Sequence, residues 1–138
     1  MVKIAHKGLI YAIDIQPEML AVIESRQDYE QIDNLKTIQG EQMSIGLNEN
    51  VADKILMVDV YHEFNYPAEM LASIKKALKP DGKIFLIEYR GEDNSVPIKT
   101  IHKMTEQQAV KEFEAAGFVL ESNIDNLPWQ HCMIFKIK

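Results

Sequence analysis

The feature that most constrains this chain is an alternation of strand-like runs with helix-period segments. The runs LIYAIDI (9–15), ADKILMVDV (52–60) and KIFLIEY (83–89) are almost continuously apolar. Such runs mark strands covered on both faces. PEMLAVIESRQDYEQ (17–31) follows the first run, with Pro17 at the first helical position and Leu20, Ala21 and Ile23 toward one side. PAEMLASIKKALK (67–79) also opens on proline and places Met70, Leu71, Ile74 and Leu78 on one face. KPDG (79–82) then reads as a turn that stops the helix, with Gly82 supplying a positive φ. LKTIQ (35–39) is a short strand before Gly40.

The polar segment RGEDNSVPIKTIHKM (90–104) reads as a loop or a partly helical excursion. TEQQAVKEFEAAG (105–117) is a helix: Thr105 and Gln108 match a capping box, Val110 and Phe113 face inward, and Gly117 fits the stop. FVLESNI (118–124) and CMIFKIK (132–138) are two strands with no helix between them. The second alternates apolar residues with lysine near its end, as an edge strand would.

The order β-α-β-β-α-β-α-β-β implies a doubly wound, mostly parallel α/β sheet closed by a C-terminal antiparallel hairpin. A length of 138 residues suits one domain. The formal charge of −6 argues against partners held by bulk positive charge, so a nucleic-acid partner is not expected. A lone cysteine, Cys132, excludes an internal disulfide and suits a reducing, cytoplasmic setting. No run approaches the roughly 20 apolar residues of a membrane helix. No signal peptide is evident.

Four pieces in this order, YAIDIQPEML, IQGEQM, ADKILMVDVYHEF and LKPDGKIFLIEY, together with the ending AAGFVLES, resemble class I S-adenosylmethionine (SAM)-dependent methyltransferases. The resemblance covers essentially the whole chain. It implies a Rossmann-like fold, SAM as cofactor and methyl transfer as the activity. The family carries a further strand and a glycine-rich GxGxG turn before the first of these pieces. The six glycines, at 8, 40, 46, 82, 91 and 117, are too far apart to form that turn. The segment MVKIAHKG reads as the tail of the helix that would follow it. By this comparison the domain (1–138) is shortened at its N-terminus and lacks the first, innermost strand. Two long strands are then left short of a neighbour. Unpaired buried backbone groups cost about 1–3 kcal/mol each. The expectation is therefore a homo-oligomer, or a partner that covers the exposed central strands.

The resemblance also nominates residues. Asp14, at the carboxyl end of its strand, would accept from the ribose hydroxyls, or it caps the following helix. Ile15 would pack on the adenine. Glu41 would accept from the adenine amino group and the Gln42 N–H would reach the ring; a solvated turn is the other reading. Asp59 would meet the methionine amine. Tyr61, Tyr89 and Arg90 stand where substrate would approach, and Lys99, His102 and Lys103 add a cationic cluster. His62 is the candidate general base, or a histidine at a helix start bonded to backbone. Glu63 would orient His62 or face water.

Trp129 would cover the substrate mouth or pack the hairpin. His131 and Cys132, adjacent in a strand, point to opposite faces and form no local pair. His6, His62, His102 and His131 show no metal-ligand spacing, so no metal is expected. The acceptor is open, with a small molecule favoured. Lacking the glycine turn, the chain alone is expected to bind SAM weakly, and the alternative is a non-catalytic binding or assembly module. An oxidoreductase would also need a glycine fingerprint and fits the closing antiparallel pair less well.

Overall fold

The computed structural model describes residues 7–138; His6 and most of the N-terminal MVKIAHKG segment lie outside the described residues. The chain forms two compact units, one ending at Gly46 and one running from Leu47 to Lys138.

The first unit is a single βαβ element. Strand β1 (Ile10–Asp14) is followed by helix α1 (Pro17–Glu30) and strand β2 (Leu35–Gln39). The strands are parallel, in register from Ile10 opposite Leu35 to Asp14 opposite Gln39. Pro17 starts the helix, as its fixed φ and missing N–H dictate. Gln31 ends it with a left-handed φ of 54°. Gln27 anchors the helix by donating from its side chain to the carbonyls of Ile32 and Leu35, both at 2.9 Å. Leu20 is buried and Ile23 half-buried, but Ala21 is exposed, so the apolar stripe is narrower than the sequence suggests.

The second unit holds β3 (Ala52–Val58), α2 (Pro67–Ala77), β4 (Leu78–Arg90), β5 (Lys103–Met104), α3 (Glu106–Ala115), β6 (Phe118–Asn123) and β7 (Gln130–Ile137). The strand order is β3-β4-β7-β6, with β5 beside the end of β4. β3 and β4 are parallel; β7 runs antiparallel to both of its neighbours. The core gathers Met70, Leu71 and Ile74 of α2, Ile84 and Leu86 of β4, Phe113 of α3, and Met133 and Phe135 of β7. Phe113 stacks on Phe135 at 4.1 Å between centroids. Full burial of one such side chain contributes about 1.5–3 kcal/mol.

Several local expectations change. β7 lies inside the sheet between β4 and β6, and the edge strand is β6. The lysine pattern misleads because Lys136 extends to solvent and pairs with Glu121 at 3.5 Å. KPDG does stand where α2 stops, although inside a strand: β4 pairs at Leu78, residues 79–82 bulge out of register, and pairing with β3 resumes at Lys83. Gly82 does not have a positive φ; among the described glycines that conformation belongs to Gly46 and Gly117. Gly82 is small for a different reason, since a Cβ there would stand 2.6 Å from Leu78 Cδ1.

The capping box of α3 is half-formed. The Thr105 hydroxyl accepts the Gln108 N–H at 3.1 Å, but the Gln108 side chain turns forward to Glu112. β3 is less buried than a strand covered on both faces, with Leu56 and Val58 at 41% and 48% exposed. It is an edge strand of its sheet, with β4 alone beside it among the described residues.

Candidate functional site

In the first unit the nominated residues collect at one end of the parallel pair. Asp14 is the last residue of β1, opposite Gln39 in register. Its Oδ1 accepts the Gln16 N–H at 2.9 Å, a short turn that leads into α1. Its carbonyl accepts the Gly40 N–H at 3.0 Å, which ties the end of β1 to the start of the next turn. Glu41 and Gln42 stand exposed on that turn, which the Glu41–Ser44 pair closes. Ile15 is half exposed beside them in sequence. The carboxyl end of β1–β2 therefore offers two carboxylates, an apolar side chain and a turn backbone.

In the second unit the chain leaves β3 through Asp59, which has a left-handed φ of 49°. Its N–H still bonds to Ile87 O at 2.8 Å. Its side-chain Oδ1 is buried without a hydrogen-bond partner among the described residues. Burial raises the pKa of Asp59 above the ordinary carboxylate value, while His62 and Gln130 pull against that rise.

One turn later comes an arrangement that the nominated residues only half anticipate. Glu88 of β4 is fully buried, on the same strand face as Ile84 and Leu86. Its carboxylate accepts the Tyr61 N–H at 2.8 Å and the His62 Nδ1 at 2.6 Å. The backbone N–H of His62 approaches the same carboxylate at 3.4 Å. Bonding to a carboxylate places the imidazole proton on Nδ1 and leaves Nε2 with its lone pair. That nitrogen faces Nδ1 of His102 at 3.2 Å. The two rings meet edge-on, with centroids 5.3 Å apart. Glu63 lies alongside, its Oε1 3.9 Å from His62 Nε2.

Glu88 was legible in principle. Strand parity places 84, 86 and 88 on one face, so an acid at 88 enters the core and must find donors. The His62–His102 pairing was not, because 40 residues separate the two and no local motif links them.

Other nominated residues are placed elsewhere. Tyr61 is 2% exposed, packed on Phe64 and Phe113, with its hydroxyl donating to Glu112 at 2.7 Å. Burial and the Glu112 contact push its phenol well above the ordinary value. Arg90 holds the β6–β7 connection, donating to Asp125 at 2.6 Å and to Pro128 O at 3.2 Å. Lys103 donates to Asp93 O. Tyr89 is half-buried beside Lys103 and Gln130 in the sheet register. Lys99 is exposed. His131 is buried between Glu92 and Asn123. Trp129 is exposed, and its carbonyl accepts the Arg90 N–H. A groove of about 550 Å³ between α2 and α3, lined by Ala68, Ala72, Lys75, Glu112 and Ala116 among others, contains none of the nominated residues.

Known proteins share this chain's fold and part of its sequence. A family model described as a methyltransferase domain matches residues 2–86. The "Uncharacterized methyltransferase YdaC" of Bacillus subtilis is 29% identical over 109 residues, 79% of this chain and 58% of that protein. A "Ubiquinone/menaquinone biosynthesis C-methyltransferase UbiE" of Wigglesworthia glossinidia brevipalpis is 28% identical over 84 residues, 60% of this chain and 34% of that protein. The chain thus spans about a third to three-fifths of these relatives' lengths. Among solved structures, a SAM-dependent methyltransferase from Aquifex aeolicus superposes with a TM-score of 0.89 at 23% identity, covering 97% of this chain and 71% of that one. The glycopeptide N-methyltransferase MtfA, solved with S-adenosylhomocysteine, gives 0.75 at 13% identity, covering 93% and 72%. The chain belongs to the methyltransferase-domain family and has the Rossmann-like fold of class I SAM-dependent methyltransferases.

Proposed function

We propose that this chain serves SAM-dependent transfer of a methyl group to a small-molecule acceptor. The observation that carries the reading is Asp59: a carboxylate at the end of a parallel strand keeps one oxygen buried and unpaired among the described residues. Such an oxygen costs about 1–3 kcal/mol and fits a donor brought by a ligand, as the methionine ammonium would be. In the first unit, Asp14 would take the ribose hydroxyls and Ile15 would pack on the adenine. Glu41 and the Gln42 N–H would meet the polar edge of the ring. SAM supplies a methyl group already activated on a sulfonium, so the protein's task is positioning and exclusion of water. His62, with Nδ1 held by Glu88 and its Nε2 lone pair shared, among the described residues, only with the exposed His102, is the base for an acceptor that must lose a proton. Glu88 is its positioning residue.

The test is an NMR titration with S-adenosylhomocysteine into the millimolar range. Amide shifts at Asp14, Ile15, Glu41, Gln42 and Asp59, lost from the first four in Asp14→Ala, would support the reading. An unchanged spectrum at those five positions would refute it.

The second reading is an assembly module, and one feature favours it. β3 is paired on one side only among the described residues and exposes Leu56 and Val58. Such an edge can receive a strand from a second copy. Light scattering at micromolar concentration tests it, and a monomer would count against it.

A further inference from the structure

We propose that His62, His102 and Glu63 form a site for one divalent transition-metal ion of the zinc type. The three side chains sit on two single-turn 3₁₀ segments, Tyr61–Glu63 and Thr100–His102. One ligand atom from each lies within 4.8 Å of the others. His62 Nε2 is 3.2 Å from His102 Nδ1 and 3.9 Å from Glu63 Oε1. Tetrahedral zinc ligands, with bonds of about 2.0–2.1 Å, stand about 3.3 Å apart. The imidazole pair is already at that separation. The exposed Glu63 side chain needs to swing by about 0.5–1.5 Å to close both of its distances, since the three atoms lie within 4.8 Å of one another.

The more telling feature is the support behind the first ligand. Metal-bound imidazoles are held by a carboxylate on their other nitrogen, which fixes the tautomer and aims the lone pair. Glu88, fully buried, bonds His62 Nδ1 at 2.6 Å and so aims Nε2 at the proposed site. His62 itself is anchored, with a side chain only 7% exposed. His102 and Glu63 are exposed, so an ion can enter and a water can complete its coordination.

Two imidazoles and one carboxylate suit Zn²⁺, Co²⁺ or Ni²⁺; Mg²⁺ and Ca²⁺ prefer oxygen alone. The carboxylates of Glu63 and Glu88 balance the charge. The proton count closes without release. Without metal, His102 donates from Nδ1 to His62 Nε2. On binding, that proton moves to His102 Nε2, and both rings stay neutral. An ion held this way occupies the lone pair that His62 would use as a base, so metal and proton compete for one atom.

The site stands on its own geometry and does not depend on the methyl-transfer reading. The experiment is calorimetric titration of the chelator-treated full chain with Zn²⁺, repeated with Co²⁺ to read its visible absorption. The expected result is one saturable equivalent unaffected by excess Mg²⁺. His102→Ala, an exposed change that leaves the core untouched, should weaken it at least tenfold, and Glu88→Gln about 10–100-fold. Imidazole ¹⁵N shifts should move at His62 Nε2 and His102 Nδ1. No saturable binding, or binding that survives His102→Ala unchanged, overturns the proposal. The S-adenosylhomocysteine titration, run in chelator, separates this failure from failure of the methyl-transfer reading.

Discussion

Replacing Glu88 by glutamine tests the centre of the site directly. The carboxylate takes two strong bonds, from the Tyr61 N–H at 2.8 Å and the His62 Nδ1 at 2.6 Å. An amide has one oxygen and one NH₂. The backbone N–H of Tyr61 can only donate, so the amide oxygen must turn to it. The NH₂ then meets His62, whose Nδ1 must become an acceptor, and the imidazole proton moves to Nε2. Each bond drops from charge-assisted, about 1.5–3 kcal/mol, to neutral, about 0.5–1.5. The loss is therefore about 2 kcal/mol, partly offset because a buried charge is removed. A net destabilisation of about 1–2 kcal/mol is expected by urea unfolding. Glu88→Leu leaves both donors unpaired in the core and should cost more, about 3–4 kcal/mol. Imidazole ¹⁵N shifts report the tautomer. If His62 keeps its proton on Nδ1 in Glu88→Gln, or if the two variants are equally destabilised, the reasoning is wrong.

Three other outcomes follow from the same structure. Asp59→Asn should stabilise the fold at pH 7, because burial raises the Asp59 pKa and ionised Asp59 is therefore a cost. That cost vanishes below the unfolded-state pKa and is fully present above the folded one, so the gain should fade in thermal melts taken as pH drops through the carboxylate range. Thr105→Ala removes the bond to the Gln108 N–H and should cost about 1 kcal/mol in chemical unfolding. Gly82→Ala should cost about 1–3 kcal/mol by the same measurement, since its Cβ would overlap buried Leu78; a neutral result would show that Leu78 can shift.

The element order was readable because backbone preferences and hydrophobic period act locally: proline starts α1 and α2, Gly117 ends α3, and apolar runs mark β1, β3 and β4. The failures sit where local signals mimic one another. KPDG does bulge out of register between Leu78 and Lys83, but Gly82 there serves close packing and not a positive φ. Alternating lysine suggested an edge for β7, but a long side chain reaches water from an interior strand whenever its own end of the strand is open. For the candidate site, Asp14, Asp59 and His62 could be nominated because strand ends are local features. The role of Glu88 needed parity to be followed along β4.

By itself, the sequence determined which segments are strands and helices and which acids end the parallel strands, because those follow from contacts between near neighbours in the chain. Only the tertiary structure decided that β7 is interior, that Arg90 is committed to Asp125, and that His62 stands between Glu88 and His102. Those partners lie 26 to 40 residues apart, and nothing in the chemistry of one residue names a distant partner until folding has brought the two together.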